Sequence, residues 1–193
     1  MSCIKKIQID DVIYTANVDF RNAIECDRIA KDTTIGDYER SLGIICTIFG
    51  GEGLENPEHY VKLLNWIMKY LSLGKEIENN NEKPDMDFIE DMSYIEASFM
   101  SDYNIWLPDI EMDWEKFITL MEGLSNSEIG NCCVLNRIRN LRNFDLKDIT
   151  DVKEREKIIK AKKAVALKKE KKENNLTKEQ EKSMEELNKI IGI

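Results

Sequence analysis

A chain of 193 residues with 42% apolar side chains can enclose a core of its own, at roughly 25 cal/mol for each Å² of apolar surface removed from water. The formal charge of −9 is uneven: residues 147–193 carry 14 Lys and Arg against 10 Asp and Glu, which leaves residues 1–146 at −13, a balance that repels phosphate backbones and argues against a nucleic-acid role for the main body. No apolar run reaches the ~20 residues of a membrane span, the first residues lack a signal peptide's apolar stretch, and five cysteines (Cys3, Cys26, Cys46, Cys132, Cys133) form an odd set without CxxC spacing, so a soluble, unexported protein with reduced thiols is expected.

The chain opens with β-branched residues on both sides of Asp10-Asp11. Ile4, Ile7 and Ile9 come before the pair and Val12, Ile13, Tyr14, Ala16 and Val18 after it, which predicts a small β-hairpin. From Asp19 onward the period is helical. Residues 19–31 place Phe20, Ala23, Ile24 and Ile29 on one side, with Asp19 as N-cap. A second helix is predicted from about Gly36 to Phe49, closed by Gly50-Gly51. A third spans 57–73, with Asn56 as N-cap, Pro57 in the first helical position and Gly74 beyond the end; Tyr60, Leu63, Leu64, Ile67, Met68 and Leu71 form its core stripe.

The stretch around 74–87, with three consecutive Asn and Pro84, is predicted to be a surface loop between two helical halves of one body. Beyond it Phe88, Met92, Ile95 and Phe99 recur at helical spacing until Pro108. Asp113 then caps a helix carrying Trp114, Phe117, Ile118 and Met121, which ends near Gly123. A further helix is predicted from Ser127 to about Asn143, with Cys132 and Cys133 as small hydrophobes inside it, Val134, Ile138 and Leu141 facing inward, and Arg137, Arg139 and Arg142 interleaved.

Composition changes near residue 147. Asp151 with Glu154 three positions on is a capping signature for a Lys-rich helix running to about Lys172. Asn174-Asn175 breaks that helix, and Thr177 with Gln180 caps a last one that lines Met184, Leu187, Ile190 and Ile191 along one face. The expectation is a mainly α fold: a helical body with an N-terminal β-hairpin over 1–146, and a charged C-terminal helical hairpin over 147–193. The narrow apolar stripe of that hairpin marks Leu187, Ile190 and Ile191 as the candidate partner contact.

Chemistry-bearing patterns are weak throughout. His59 is the only histidine, which removes the usual base for a Ser or Cys nucleophile and a His/Cys zinc site. Gly50, Gly51 and Gly53 are not followed by Gly-Lys-Ser/Thr, and Glu52 within the run repels phosphate. The alternating acids Asp109, Glu111, Asp113 and Glu115 resemble a calcium loop, yet Trp114 replaces its glycine and Leu120 its bidentate Glu. Glutamates at 154, 156, 170 and 173 dilute the lysines of 153–172 into an ordinary exposed helix face. No catalytic, cofactor-binding or metal-binding residue is expected, and the chain is read as a non-enzyme.

Several segments nevertheless resemble the phage gene-product-fifteen family of siphovirus and Gram-positive prophage tail modules, over most of residues 4–167. The hairpin runs into Asp19-Phe20-Arg21, similar to that family's "DFR" segment. Tyr94-Ile95-Glu96-Ala97-Ser98-Phe99 with Tyr103-Asn104-Ile105 looks like its "I-x-A-S-F … Y-x-I" block. Asp113-Trp114-Glu115-Lys116-Phe117 with Leu120, Gly123 and Leu124 is similar to its "H-W-W-x-F-x-x-L-x-x-G-L" helix, although Asp113 stands where His is common and Glu115 where a second Trp is common. Arg137, Ile138 and Arg139 resemble a later arginine-containing helix.

The resemblance implies a tail-assembly chaperone or accessory protein of the host bacterial cytoplasm, binding tape-measure protein, tail-tube protein or its own copies, with no membrane partner. The matched residues Asp19, Phe20, Arg21, Phe99, Trp114 and Phe117 are expected in the core or at a partner contact, core-facing spacing favouring the former for the aromatics. Two alternatives stay open: a structural adaptor or connector of the finished tail, and a nucleic-acid-binding regulatory protein using the Lys-rich helix.

Overall fold

The structure is a computed structural model that describes residues 3–75, 84–126, 132–147, 149 and 151–168. The chain is mainly helical, with seven α-helices and a two-stranded antiparallel hairpin among the described residues. Strands β1 (Ile4–Ile9) and β2 (Val12–Asn17) pair from Ile4↔Asn17 to Ile9↔Val12. Asp10 takes φ 52 in the turn, a left-handed conformation that Asp tolerates better than bulky residues. Strand alternation puts Ile9, Tyr14 and Ala16 inward and leaves Ile4, Lys6, Gln8, Ile13 and Thr15 in solvent.

Helix α1 (Phe20–Lys31) starts at its predicted cap, where the Asp19 carboxylate accepts the Arg21 backbone N–H. Helix α2 (Asp37–Phe49) follows Gly36 and stops at Gly50, whose φ of 64 breaks the helical path. The short 3-10 turn after it needs Gly53. A Cβ there would lie 2.7 Å from Phe49 Cβ and 2.8 Å from Ile45 Cγ2, closer than packed carbons approach. Asn56 accepts the Glu58 N–H at the turn that leads into helix α3 (Tyr60–Leu71).

Helix α4 (Met92–Tyr103) ends on Asn104 in the left-handed region, and a 3-10 turn at Leu107–Asp109 carries Pro108. Helices α5 (Trp114–Glu122), α6 (Val134–Asn143) and α7 (Val152–Val165) complete the order. Asp113 and Asp151 cap α5 and α7 by accepting the Lys116 and Glu154 N–H groups.

Two apolar clusters meet along α1. One gathers the hairpin, Cys26 of α1, α2 and α3 around Tyr14, Ile45, Leu63 and Ile67. The other gathers Phe20 and Ile24 of α1 with α4, α5 and α6 around Phe99, Phe117 and Leu135. Tyr70 and Leu71, at the end of α3, touch both. Each fully buried Leu, Ile or Phe here contributes about 1.5–3 kcal/mol of transfer free energy.

Four expectations are corrected. Met68 does not join the α3 stripe: it is exposed, because the stripe is narrower than its sequence spacing implies. Helix α6 begins at Val134 rather than near 127, since Cys133 is extended and its Sγ accepts the Asn136 N–H as an N-cap, so the cysteine pair precedes the helix. Its buried residues are Leu135 and Asn136, and Val134 is only half-buried. Helix α7 ends at Val165, short of Lys172, because Ala166 turns extended and the chain seats Leu167 against the body. Residues 127–131, the second arm of the C-terminal hairpin, and with it Leu187, Ile190 and Ile191, lie outside the described residues.

Candidate functional site

The segment from Asp19 to Arg21 joins parts of the chain that are about ninety residues apart. Its backbone pairs with that of Met112 to Trp114: the Phe20 N–H donates to Met112 O at 2.9 Å and the Trp114 N–H to Val18 O at 3.0 Å. Asp19 is buried, and its carboxylate accepts the Arg21 N–H at 2.9 Å, the Met112 N–H at 3.3 Å and Arg21 Nη1 at 3.1 Å from both oxygens. Arg21 Nη2 donates to the carbonyls of Leu107 and Ile110 at 2.8 and 2.7 Å. With a longer bond from Nη2 to Pro108 O at 3.3 Å, a carboxylate and a guanidinium so placed satisfy one another and five backbone groups.

The aromatic residues of the three motif segments converge directly beneath. Phe20 stacks on Phe117 with ring centroids 4.6 Å apart and planes within 10°. Phe99 and Trp114 stack on the same ring at 5.4 and 5.7 Å, and Phe88 meets Trp114 edge-on. The Trp114 indole N–H donates to Leu71 O at 2.9 Å, which ties the end of α3 to the start of α5. Phe99 and Phe117 expose none of their surface, and Phe20 and Trp114 are buried as well. These four therefore build the core; of the six motif residues only Arg21 presents a large part of its side chain to solvent.

Both departures from the motif have a local use. Asp113 caps α5 where a histidine would be poorer at that task, and Glu115 pairs with Lys5 at 2.8 Å, bracing the hairpin against α5. An open cleft of about 460 Å³ lies beside Asp19 and Arg21, between Cys3, Asn17, Asn22 and Glu111. Burial, and after it the nearby Asp19 charge, raises the Cys3 thiol above its usual range. That thiol stays protonated at neutral pH.

His59 is buried, with Nδ1 2.8 Å from the Tyr14 hydroxyl and Nε2 near Asn56 and Asp10, which pins the hairpin turn to the start of α3. The Asp10 carboxyl is held below its usual range chiefly by its hydrogen bond to Lys62. Burial pushes the Cys26 thiol up to about 12. Among the described residues no group of three His, Cys, Asp or Glu is placed to hold a metal ion, and no helix is long and apolar enough to cross a membrane.

A second constellation escapes the sequence. Asp91 is completely buried and forms a two-pronged ion pair with Arg142, at 2.6 and 2.7 Å. Arg142 also donates to Asp85 O at 2.8 Å and, through Nε, to Val165 O at 2.7 Å. One guanidinium thus joins the start of α4, the end of α6 and the end of α7. Asp91 sits in a Glu90-Asp91 pair and Arg142 third in a run of arginines, so both look like solvated charge in sequence. The one available signal is that Asp91 directly precedes α4.

Comparison with known proteins adds one finding. Residues 2–167 match a family model described as Bacteriophage Gp15 protein. No curated protein and no solved structure matches the chain.

Proposed function

The chain belongs to the Bacteriophage Gp15 protein family, a group of phage structural or morphogenesis proteins, and from that membership we propose that it is a tail-assembly chaperone or accessory protein. It binds tape-measure or tail-tube protein in the host cytoplasm and performs no bond-making chemistry. The observation that carries this reading is the match over residues 2–167 combined with the use of the motif residues. Asp19, Phe20, Phe99, Trp114 and Phe117 are consumed in holding the body together, so what the body offers a partner is its outer helices. An acidic, helical body with a lightly attached basic helix suits reversible packing against another amphipathic helix.

Mass spectrometry of purified particles, together with deletion of the gene, tests the role. A chaperone is absent from finished particles although its deletion abolishes tails. Its presence at a fixed copy number in mature tails would instead make it an adaptor or connector and reject the chaperone role.

A further inference from the structure

We propose that the seam of α6 now covered by α7 is a helix-binding groove, and that α7 is a displaceable occupant which an amphipathic helix of the partner replaces. Helix α7 touches α6, yet none of its fourteen residues is buried; Ile158, Ile159 and Val165 are only half-covered. Among the described residues, its strongest anchors lie at its exit. There the Val165 carbonyl accepts from Arg142, Leu167 is buried, and the Lys168 N–H donates to the Glu90 carboxylate at 3.0 Å. Lys162 adds a bond to Phe144 O, close to the connection between the two helices.

The groove therefore has a readable specificity. Arg142 is fixed by Asp91, so its Nε is pre-aimed at the carbonyl-rich, partially negative end of a helix. Two residues further on, a site takes a buried aliphatic side chain. The ligand class is an amphipathic helix whose last turn supplies a free carbonyl and whose exit supplies a Leu-like residue.

The occupant is built to leave. Lys, Glu and Ala dominate Val152–Val165, which favours a helix, but a helix of this length is marginal in water by itself, so undocking returns conformational entropy to the segment. A tether gives α7 a millimolar effective concentration, which closes the groove to weak helices and yields to a longer one that buries more apolar surface. The identity of the incoming helix as one from a tail protein rests on the function proposed above; the groove itself does not.

The test uses the full chain and, as probe, a fluorescein-labelled peptide of residues 151–168. Leu167→Asp removes the anchor without touching the groove wall, and Leu167→Ala shortens the same side chain more gently. Hydrogen exchange of amides 152–165 is expected to accelerate at least ~10-fold in the Leu167→Asp chain while α1, α3 and α5 keep wild-type exchange. The peptide is expected to bind that chain about tenfold or more tightly than wild type, and a peptide itself carrying Leu167→Asp to bind neither. Should Leu167→Asp disturb exchange in α1 to α5, Leu167→Ala decides, with a smaller change of the same sign.

Equal affinity of the peptide for both chains, or binding to neither, overturns the proposal. Peptide binding by a chain that forms no complex with any tail protein upholds the groove and rejects only the chaperone role.

Discussion

Arg21 shows how much of a motif can be spent on backbone. Its planar fork reaches Asp19 and the carbonyls of Leu107 and Ile110 at once, a geometry that an ammonium cannot copy. Because the side chain is nearly half exposed, solvent screens part of that gain, and Arg21→Ala is expected to cost about 1–3 kcal/mol in urea denaturation, with Arg21→Lys recovering only part of it. Wild-type stability in Arg21→Ala would show that the clamp is decorative. The cysteines give an independent reading of burial. Cys46 is exposed whereas Cys26 is buried and its thiol pushed up to about 12, so Cys46 should be alkylated first and Cys26 last, as peptide mass spectrometry after brief iodoacetamide treatment can establish. Rapid labelling of Cys26 in the native protein contradicts the packing of α1 against α2.

Among the elements, the joint between α4, α6 and α7 is the most exposed to a single change. Removing one member of a buried pair strands the other, so Arg142→Ala or Asp91→Ala is expected to destabilise by about 3–5 kcal/mol, whereas replacing both with apolar residues recovers much of the loss. Thermal unfolding of the single and double variants measures this directly; additive losses would mean the pair does not act as one unit. The aromatic stack offers a second check, since Phe117→Ala removes the ring on which Phe20, Phe99 and Trp114 all rest and is expected to cost about 3–5 kcal/mol. Elements with a cap and a clean period are legible in the sequence: the hairpin at Asp10-Asp11, the caps at Asp19, Asn56, Asp113 and Asp151, and the burial of Phe20, Phe99 and Phe117. Failures occurred where tertiary contacts decide. The start of α6 depends on a cysteine acting as a cap, a weak signal in any sequence, and the end of α7 depends on where Leu167 finds a site. Asp91 and Arg142 were invisible because a buried charge and a solvated one have the same letters.

At the scale of the whole molecule, the division of labour is between an acidic body, closed around two clusters that share α1, and a basic helix resting on its surface. The motif residues that identify the family sit in the body and give it shape, so family membership fixes the scaffold while the outer helices remain available to a partner. We propose on this basis that the chain works by holding another polypeptide through its outer helices. The most direct measurement is co-expression of the full chain with the tape-measure and tail-tube proteins of the phage that encodes it, followed by purification and weighing of the complex by native mass spectrometry. The expected result is a defined complex with one of these two proteins. Recovery of the chain alone, with normal tails formed by a phage lacking the gene, would contradict the account.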